Sequence, residues 1–402
     1  MGALTGIRVC DFSWGLAGPV ATEVLALAGA EVIKVESTRR LDFSRLFINP
    51  VTRIQEGVNG APGFNDSNLN KLGVQIDLHH PGGLDLAKRL IRICDVMVEG
   101  FTPGVIQRLG LSYPVVRELR PDIVMLSTSG NGSTGPEAGA IGYAPLFGAL
   151  GGVGNLTGYS DRPPSEIRVT MDMASAISGA LAIMAALVHR KRTGIGQYID
   201  FSSREAITCL IGDSILDYSM NERVGSRRGN DDEIMAPHNC YPCRGNDEWV
   251  SIAVSNDPEW EAFCLAIGDP VWTKDERFRD QIRRWENREA MDDFVAQWTR
   301  NHTNFEVMGI LQKVGVAAVP SYTAKDVYTD PHISDRGLIT HVEHPEVGAR
   351  LTFNCPWKFS VTPSQVVHDA PLVGQHNNYV FGELLGLPAA EIKELVEVGA
   401  IR

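Results

Sequence analysis

One carboxylate, Asp172, stands directly before a run of small and apolar residues that predicts a helix from Met173 to His189. Aspartate is among the commonest N-cap residues, and for a sequence taken alone this structural role is the ordinary interpretation. The same position also favours chemistry, because the positive end of a helix dipole keeps a carboxylate ionised and therefore nucleophilic. Asp172 is thus a candidate for covalent catalysis, and its residue type and position alone leave both roles open.

Two glycine-rich segments imitate nucleotide-binding loops. Residues 130–135 read GNGSTG after a predicted strand, which matches the dinucleotide fingerprint, but the residues after them make a poor helix start. Since that motif holds pyrophosphate at a helix N-terminus, we favour a simple turn. The turn from Gly15 to Pro19, with Glu36 ending the next strand, lacks the three-glycine spacing, and Pro19 removes a backbone donor. It indicates Rossmann-like folding and does not indicate NAD.

A third pattern, formed by His238, Cys240 and Cys243, offers three potential zinc ligands. A structural zinc site needs four ligands, normally with a second pair at a defined spacing, and the sequence has no second CxxC motif. We therefore interpret the pattern as a turn at a strand edge and predict no metal site.

The elements that must position Asp172 come from the first 130 residues, in which strand and helix patterns alternate. This alternation predicts an α/β fold with a parallel, doubly wound sheet, which places ligands at the carboxyl ends of its strands. The small side chains after Asp172 would let other backbone approach from several directions, so we predict that its helix is buried and central. The predicted strands are 7–12, 30–35, 74–78, 96–99 and 123–127, and the predicted helices between them are 19–28 and 83–94.

The texture of the sequence changes at about Asn221, where a charged, glycine-containing linker begins and Trp and charged residues become more frequent. We therefore predict a large domain over residues 1–220, to which residues 336–402 return, and a smaller α+β domain over residues 221–335.

Composition restricts the possible functions. The 402 residues are 44% hydrophobic and carry a net charge of −12, so broad nucleic-acid binding is not expected. The N-terminal residues lack the pattern of a signal peptide, and the longest apolar run, 173–188, is shorter than the about 20 residues that span a bilayer. We expect no membrane association. The odd number of cysteines, seven, indicates reduced thiols and a cytoplasmic protein.

The segment that begins at Asp172 resembles the signature of the family III CoA-transferases: an Asp, a small-residue helix, an Arg-rich turn and TGIGQ at 193–197. The resemblance extends along the chain, through DFSWGLAGP at 11–19, GAEVIKVE at 29–36, DVMVE at 95–99, FTPG at 101–104 and PLVGQH at 371–376. The chain is similar to formyl-CoA, carnitine and benzylsuccinate CoA-transferases. This resemblance implies a Rossmann-like large domain, a smaller domain, and chains that interlock as a dimer.

The resemblance also implies a mechanism. Asp172 attacks an acyl-CoA thioester to give a mixed anhydride, the CoA thiolate returns to form an aspartyl-CoA thioester, and an acceptor carboxylate then takes the CoA. Coenzyme A is a substrate here, and no tightly bound cofactor is expected. Succinyl-CoA is a frequent donor in the family. The opening from Asp11 to Trp14 looks most like transferases that act on succinate derivatives such as benzylsuccinate, and Leu16 together with Trp14 suggests an acceptor with an apolar or aromatic portion.

The family's CoA contacts can be carried over by position. Lys71 and Arg108 suit the CoA phosphates because they are positively charged, and Phe101 suits a flat or apolar portion of CoA. The matching positions are Leu16, Ala17, Asn68, Leu69, Asn70, Lys71, Phe101, Arg108 and Tyr143.

Two positions depart from the family pattern. Ser37 stands where the family often has an Arg that stacks on adenine, so we expect Arg39 or Arg40 to replace it. Gly100 stands where an Asn often follows the fourth strand, which would open space near the acyl or pantetheine arm.

Two alternatives use the same fold. A sister group racemises α-methylacyl-CoA thioesters with a His-Asp pair, but the matching positions after Gly142 are Tyr143 and Ala144, so the proton-abstracting pair is missing. The second alternative is a non-catalytic subunit that binds CoA beside a homologous chain, and the presence of Asp172 argues against it.

Overall fold

The computed structural model describes residues 1–46, 57–167 and 169–402. The chain divides into two compact units. The larger unit comprises Met1–Gly154, Glu166–Val224 and Ser334–Arg402, and the smaller comprises Asn155–Ser165 and Gly225–Ile333. Residues 155–165 were expected in the large domain, but they group with the smaller unit, where the Gly229 amide donates to the Gly158 carbonyl at 2.8 Å.

The larger unit is built on a six-stranded sheet in which every neighbouring pair of strands is parallel. The strand order is β3-β2-β1-β4-β5-β6. From β1 the chain first adds strands on one side of the sheet and then, with β4, on the other, while all strands stay parallel. This order confirms the predicted doubly wound α/β class and places the expected ligand crevice beside β1 and β4. The strands are β1 (Arg8–Phe12), β2 (Glu31–Glu36), β3 (Lys71–Gln75), β4 (Val96–Glu99), β5 (Val124–Ser129) and β6 (Tyr198–Ser202).

Ten α-helices accompany this sheet in the described part of the first 224 residues. A short 3-10 helix, Phe43–Leu46, follows β2, and another, Cys209–Ile211, follows the ninth helix. The helices are α1 (Ala17–Leu27), α2 (Pro62–Asn65), α3 (Pro81–Arg92), α4 (Val105–Arg108), α5 (Tyr113–Leu119), α6 (Ala144–Leu150), α7 (Val153–Leu156), α8 (Val169–Thr193), α9 (Ser203–Thr208) and α10 (Gly212–Asn221).

The sheet is covered on both faces because successive strand side chains point to opposite sides. On one face Cys10 and Phe12 belong to a buried cluster that includes Leu86 and Leu90 of α3. On the other face Val9 belongs to a cluster that includes Leu25 of α1 and residues of α8. Burial of such side chains stabilises the fold by about 1.5–3 kcal/mol each.

The helix after Asp172 differs from its prediction in two respects. It begins at Val169, and it is buried on one side rather than all round. Ala176 and Ala180 pack against Ala21 of α1, where small side chains permit the close approach, whereas Ile177 and Leu181 are 62% and 63% exposed in the single chain. By length and composition alone, the stretch Thr170–Thr193 could cross a membrane, but here it forms part of the core beside the sheet.

The smaller unit contains a three-stranded antiparallel sheet of order β7-β8-β9 and helices around an aromatic core that includes Trp260, Phe263 and Phe278. The strands are β7 (His238–Pro242), β8 (Trp249–Ala253) and β9 (Ala317–Pro320). The helices are α11 (Asp257–Ala266), 3-10 helices Val271–Lys274 and Glu276–Phe278, then α12 (Gln281–Glu286), α13 (Arg288–Thr299), α14 (Asn304–Gln312), α15 (Ala324–Thr329) and α16 (Pro331–Asp335).

The C-terminal segment returns to the larger unit. It contributes an antiparallel hairpin, β10 (Ile339–His344) and β11 (Gly348–Phe353), a π-helix (Asn378–Leu384) and α17 (Ala389–Glu397). The amide of Asp77 donates to the carbonyl of Ala400 at 2.9 Å, and Val380 and Phe381 complete the cluster around α3.

Candidate active site

A cavity of about 610 Å³ lies at the carboxyl ends of β1, β4 and β5, where a doubly wound sheet places its ligands. Its walls come from the loops that follow these strands and from the starts of α8 and α9. They include residues within 14–18, 100–103, 128–130 and 138–147, together with Phe43, Asp172, Ser175, Ser203 and Ile207.

Asp172 lines this cavity from the first turn of α8. It is the fourth residue of the helix, since the helix starts at Val169, so the prediction of a helix cap is wrong. Among the described residues, none pairs with its half-buried carboxylate. Burial raises the pKa of Asp172 to about 6, which reverses the expected direction but still leaves the group mostly ionised at neutral pH. A carboxylate of raised basicity on a cavity wall, without a partner in the described ranges, is suited to act as a nucleophile.

A second cavity, of about 270 Å³, opens at the carboxyl ends of β1 and β2. Trp14 and Phe101 line both cavities. Their ring centroids are 5.2 Å apart and the ring planes are almost perpendicular, at 84°. A long, thin ligand could therefore lie in both cavities and pass along this aromatic pair.

One residue of the aromatic pair, Phe101, is held by a buried carboxylate. The carboxylate of Glu99, the last residue of β4, accepts a hydrogen bond from the Phe101 amide at 2.9 Å. Burial raises the pKa of Glu99 to about 6. Gly100 also lies on the wall of the main cavity, where a side chain such as the Asn often found in the family would occupy space.

Two arginines line the second cavity, together with two carboxylates, Glu36 and Asp77, which pair with Arg45 and Arg402. Arg39 and Arg40 both line it, as does Ser37. The Arg40 guanidinium lies 4.7 Å from the centre of the Trp14 ring, a cation–π distance, and an Arg39 nitrogen lies 3.8 Å from the Asp77 carboxylate. This arrangement can attract an anion to the mouth of the cavity.

Arg108 lies beside the second cavity rather than on its wall. It is the last residue of α4, it is exposed, and no described residue forms an ion pair with it. Val105 and Leu109, on either side of it in the sequence, do line the cavity. The side chain is long enough to reach a ligand at this mouth.

The predicted contacts at 68–71 do not reach either cavity. Lys71 is fully buried, and its ammonium donates to Asp11 Oδ2 at 3.0 Å, Pro19 O at 2.8 Å and Asn68 Oδ1 at 2.8 Å. These three bonds use all its hydrogens. The expected phosphate contact of Lys71 is contradicted by this geometry, and the side chain instead neutralises a buried aspartate.

The neighbours of Lys71 have similar internal roles. Asn68 is buried and donates to the Phe64 carbonyl at 3.0 Å, and Leu69 is 2% exposed. Asn70 holds the C-terminal segment, since its amide donates to the Gln365 carbonyl at 2.8 Å. The segment 68–71 thus anchors an edge strand. The other predicted contacts do line the cavities: the main cavity is lined by Leu16, Ala17, Phe101, Tyr143 and Asp172, and the second by Arg39.

Other residues on the walls were not predicted as contacts. Trp14, two residues after β1, was expected only to favour an apolar acceptor, although its place at a strand end could have identified it as a wall residue. Phe43 and Phe147 could not have been identified in this way, because they reach the cavity from segments without a distinguishing pattern. Ser175 and Ser203 also line the wall, and the Ser175 hydroxyl donates to the Met171 carbonyl at 2.9 Å.

The glycine-rich motif at 130–135 forms a turn without a helix after it, since the next helix begins at Ala144. A Cβ at Gly130 would lie 1.9 Å from the Phe147 ring, so glycine is required there by close packing. In the smaller unit, His238 and Cys240 lie on β7 and Cys243 follows it. Nowhere in the described ranges do three His, Cys, Asp or Glu side chains converge as a metal site would require.

Comparison with known proteins gives a consistent result. A family model described as CoA-transferase family III matches residues 4–377. Succinyl-CoA–D-citramalate CoA-transferase from Chloroflexus aurantiacus is 33% identical over 400 residues, covering 98% of this chain and 96% of that protein. The alpha subunit of succinyl-CoA–L-malate CoA-transferase from the same organism is 30% identical over 394 residues, covering 98% and 91% respectively. The crystal structure of a CAIB/BAIF family protein from Brucella suis matches with a TM-score of 0.86 at 28% identity, covering 95% and 99% of the two chains.

Proposed function

Because this chain belongs to CoA-transferase family III, we propose that it moves CoA from an acyl-CoA to a carboxylic acid through an aspartyl-CoA thioester on Asp172. The observation that carries this proposal is the half-buried carboxylate of Asp172 on the wall of the main cavity, which has no partner among the residues that the structure describes. The neighbouring cavity, lined by two arginines and joined to the first by Trp14 and Phe101, supports it.

The shape of the two cavities suggests how CoA lies. Its nucleotide end would occupy the second cavity, near Arg39, Arg40 and Arg108, where guanidinium groups suit phosphates. The pantetheine arm would pass Trp14 and Phe101, and the thioester would reach Asp172. Holding the CoA at its far end keeps the thiolate close to the acyl-enzyme, which a reaction in several steps requires.

The proposed steps form and break one bond at a time. The Asp172 carboxylate attacks the thioester carbonyl, and the CoA thiolate leaves, giving a mixed anhydride. The thiolate attacks the aspartyl carbonyl and expels the donor acid, giving an aspartyl-CoA thioester. The acceptor carboxylate displaces the thiolate to form a second anhydride, and the thiolate then attacks the acceptor carbonyl, which releases the new acyl-CoA and restores Asp172.

We propose succinyl-CoA as the donor and a substituted succinate as the acceptor. The names of two relatives, which act on citramalate and malate with succinyl-CoA, support this class. Among the described residues, the wall of the main cavity carries no Lys, Arg or His, while Phe43, Tyr143 and Phe147 lie on it. Such a wall favours an acceptor with an apolar or aromatic substituent, as in benzylsuccinate.

The racemase alternative is less well supported. Tyr143 lies on the cavity wall and Ala144 is buried at the start of α6, so neither supplies the base that proton abstraction needs.

We also propose a cytoplasmic oligomer. One relative is named an alpha subunit, so the partner could be a second copy or a homologous chain. The exposed apolar side chains of α8, Ile177 and Leu181, support association, because such a surface is ordinarily covered.

The proposed function is tested by mixing the purified protein with succinyl-CoA and a panel of acids, then identifying new CoA esters by mass. The panel comprises benzylsuccinate, citramalate, malate and benzoate. We expect new esters with the substituted succinates. Uptake of solvent deuterium at the α-carbon of a 2-methylacyl-CoA, without any CoA transfer, would favour the racemase. CoA transfer only after addition of a homologous chain would indicate a silent subunit.

Arg40 and Arg108 are expected to hold CoA phosphates. Arg40→Gln and Arg108→Gln should each weaken CoA binding by about 10- to 100-fold, since a lost bond to a charged group costs about 1.5–3 kcal/mol. Calorimetry with CoA and dephospho-CoA measures this and reports which arginine binds the 3′-phosphate. Arg117→Gln, an exposed arginine on α5 outside both cavities, is the matched control. Unchanged affinities in both test variants would refute this location of the nucleotide.

A further inference from the structure

The wall of the main cavity between Trp14 and Gly18 is attached to four buried charged side chains. Asp11, Lys34, Asp42 and Lys71 are all 0% exposed. Lys34 pairs with Asp42 at 2.9 Å, and Lys71 pairs with Asp11 at 3.0 Å. None of the four lines the cavity, so the proposed chemistry does not use them directly.

Asp42 joins two separate segments of the chain. Its Oδ1 accepts hydrogen bonds from the Gly15 amide at 3.0 Å, the Ser44 amide at 3.0 Å and the Ser44 hydroxyl at 2.7 Å. Its Oδ2 accepts from the Lys34 ammonium, which also donates to the Ser13 carbonyl. Both oxygens of one carboxylate therefore fix the loop after β1 to the 3-10 helix after β2.

The two segments meet on the cavity wall. Gly15 and Phe43 both line the cavity. Gly15 has a φ of +78°, and a Cβ there would lie 2.5 Å from Cζ of Phe43, so the ring rests directly on the backbone of the loop. A shift of the Asp42 carboxylate would move the ring and the loop relative to each other.

The loop also contributes to the second cavity. Trp14, between the two residues that Asp42 and Lys34 hold, lines both cavities and contacts Phe101. Its position therefore affects the wall of both cavities. The backbone on each side of Trp14 is thus fixed by the pair, through Ser13 on one side and Gly15 on the other.

We infer that Asp42 is a positioning residue for CoA transfer: with Lys34, it holds the loop 13–18 and Phe43 in the arrangement that brings the thioester to Asp172. This inference rests on the proposed function. A buried ion pair is weak evidence for stability, because desolvation of its charges offsets their attraction. Its four further hydrogen bonds to cavity-wall segments give this pair a geometric role, since displacement of a reacting group by about 1 Å can cost about 100-fold in rate.

The test compares Asp42→Asn with Asp369→Asn. Asp369 is a buried carboxylate of the same unit, paired with Arg350, and it lines neither cavity. For Asp42→Asn we expect faster amide hydrogen exchange in the peptide 13–18 and a fall in kcat of at least about 10-fold, with CoA affinity changed much less. Asp369→Asn should lower the melting temperature without either change.

A second variant keeps the inference testable if Asp42→Asn does not fold. Lys34→Met with Asp42→Asn removes both charges together, which is often neutral for stability, yet it also removes the link to Ser13. The same loss of kcat and the same faster exchange are expected. An unaltered kcat in either folded variant would overturn the inference and leave the proposed function intact. If the unsubstituted protein transfers no CoA to any acid, the proposed function fails, and the role of Asp42 in transfer fails with it.

Discussion

Replacement of Asp172 by alanine is expected to abolish CoA transfer, with a loss of at least about 10⁴-fold in kcat, in a protein that remains folded. The carboxylate is the only atom group proposed to carry the acyl and CoA moieties between donor and acceptor. No described residue pairs with it, so within the described part of the chain its removal breaks no ion pair. Asp85→Asn, an exposed aspartate on α3 outside both cavities, is the matched control and should retain full activity.

Removal of the Asp172 charge is expected not to lower the free energy of unfolding. Burial raises the pKa of Asp172 to about 6, so the folded protein holds this proton more tightly than the unfolded chain does. The ionised carboxylate therefore reduces stability as the pH rises through about 6. Asp172→Asn should be no less stable than the original protein at neutral pH, as measured by thermal unfolding.

Two further readouts belong to the same prediction. With donor acyl-CoA and no acceptor, hydroxylamine should convert Asp172 to a hydroxamate, visible as a mass shift on its peptide, and borohydride should reduce the trapped ester. The value of kcat/KM should fall as the pH is lowered through about 6, because the protonated carboxyl is not a nucleophile. Substantial turnover by folded Asp172→Ala would remove this residue from the mechanism.

Much of the fold could be predicted from local pattern. The strand predicted at 96–99 has the bounds that the structure shows, and its four buried residues are typical of a parallel strand. The strand predicted at 74–78 lies instead at Lys71–Gln75. Sequence pattern does not show that the lysine at its start is buried beside Asp11.

The start of α8 was missed for a related reason. Aspartate is a frequent N-cap, and the residues before Asp172 include β-branched Val169 and Thr170, which have modest helix propensity. The helix nevertheless begins with them. Propensity is a weak prior that tertiary packing overrides, so the exact position of the carboxylate could only come from the structure.

For the candidate site, the resemblance supplied Asp172, Phe101 and Tyr143, all of which lie on the main cavity. It did not identify Asp42, which accepts a hydrogen bond from the Gly15 amide, or Phe43, which lines the cavity. The Lys71 expectation rested on charge. Charge alone does not separate a base that faces a ligand from one that neutralises a buried acid, and burial decides between them.

Replacement of Lys71 by methionine is expected to destabilise the fold by about 3–5 kcal/mol, because it leaves the buried Asp11 carboxylate without its partner. This is a large part of a typical stability of about 5–15 kcal/mol. Burial would raise the pKa of Asp11, but Lys71, Lys34 and two hydroxyls lower it to about 2. The stability from this ionised group is therefore present above the unfolded pKa of about 4 and is lost as the pH falls toward 2.

Urea unfolding of Lys71→Met, of Asp11→Asn with Lys71→Met, and of Arg108→Gln measures this prediction. The double variant should recover most of the lost stability, since it removes the unpaired charge along with its partner. Arg108→Gln should leave stability unchanged, because this arginine is exposed and no described residue forms an ion pair with it, while its CoA affinity falls. Replacement of Lys71 is thus expected to lower the stability of the fold, whereas replacement of Arg108 is expected to lower only the affinity for CoA. A Lys71→Met protein of unchanged stability but weakened CoA binding would instead restore Lys71 as a phosphate contact.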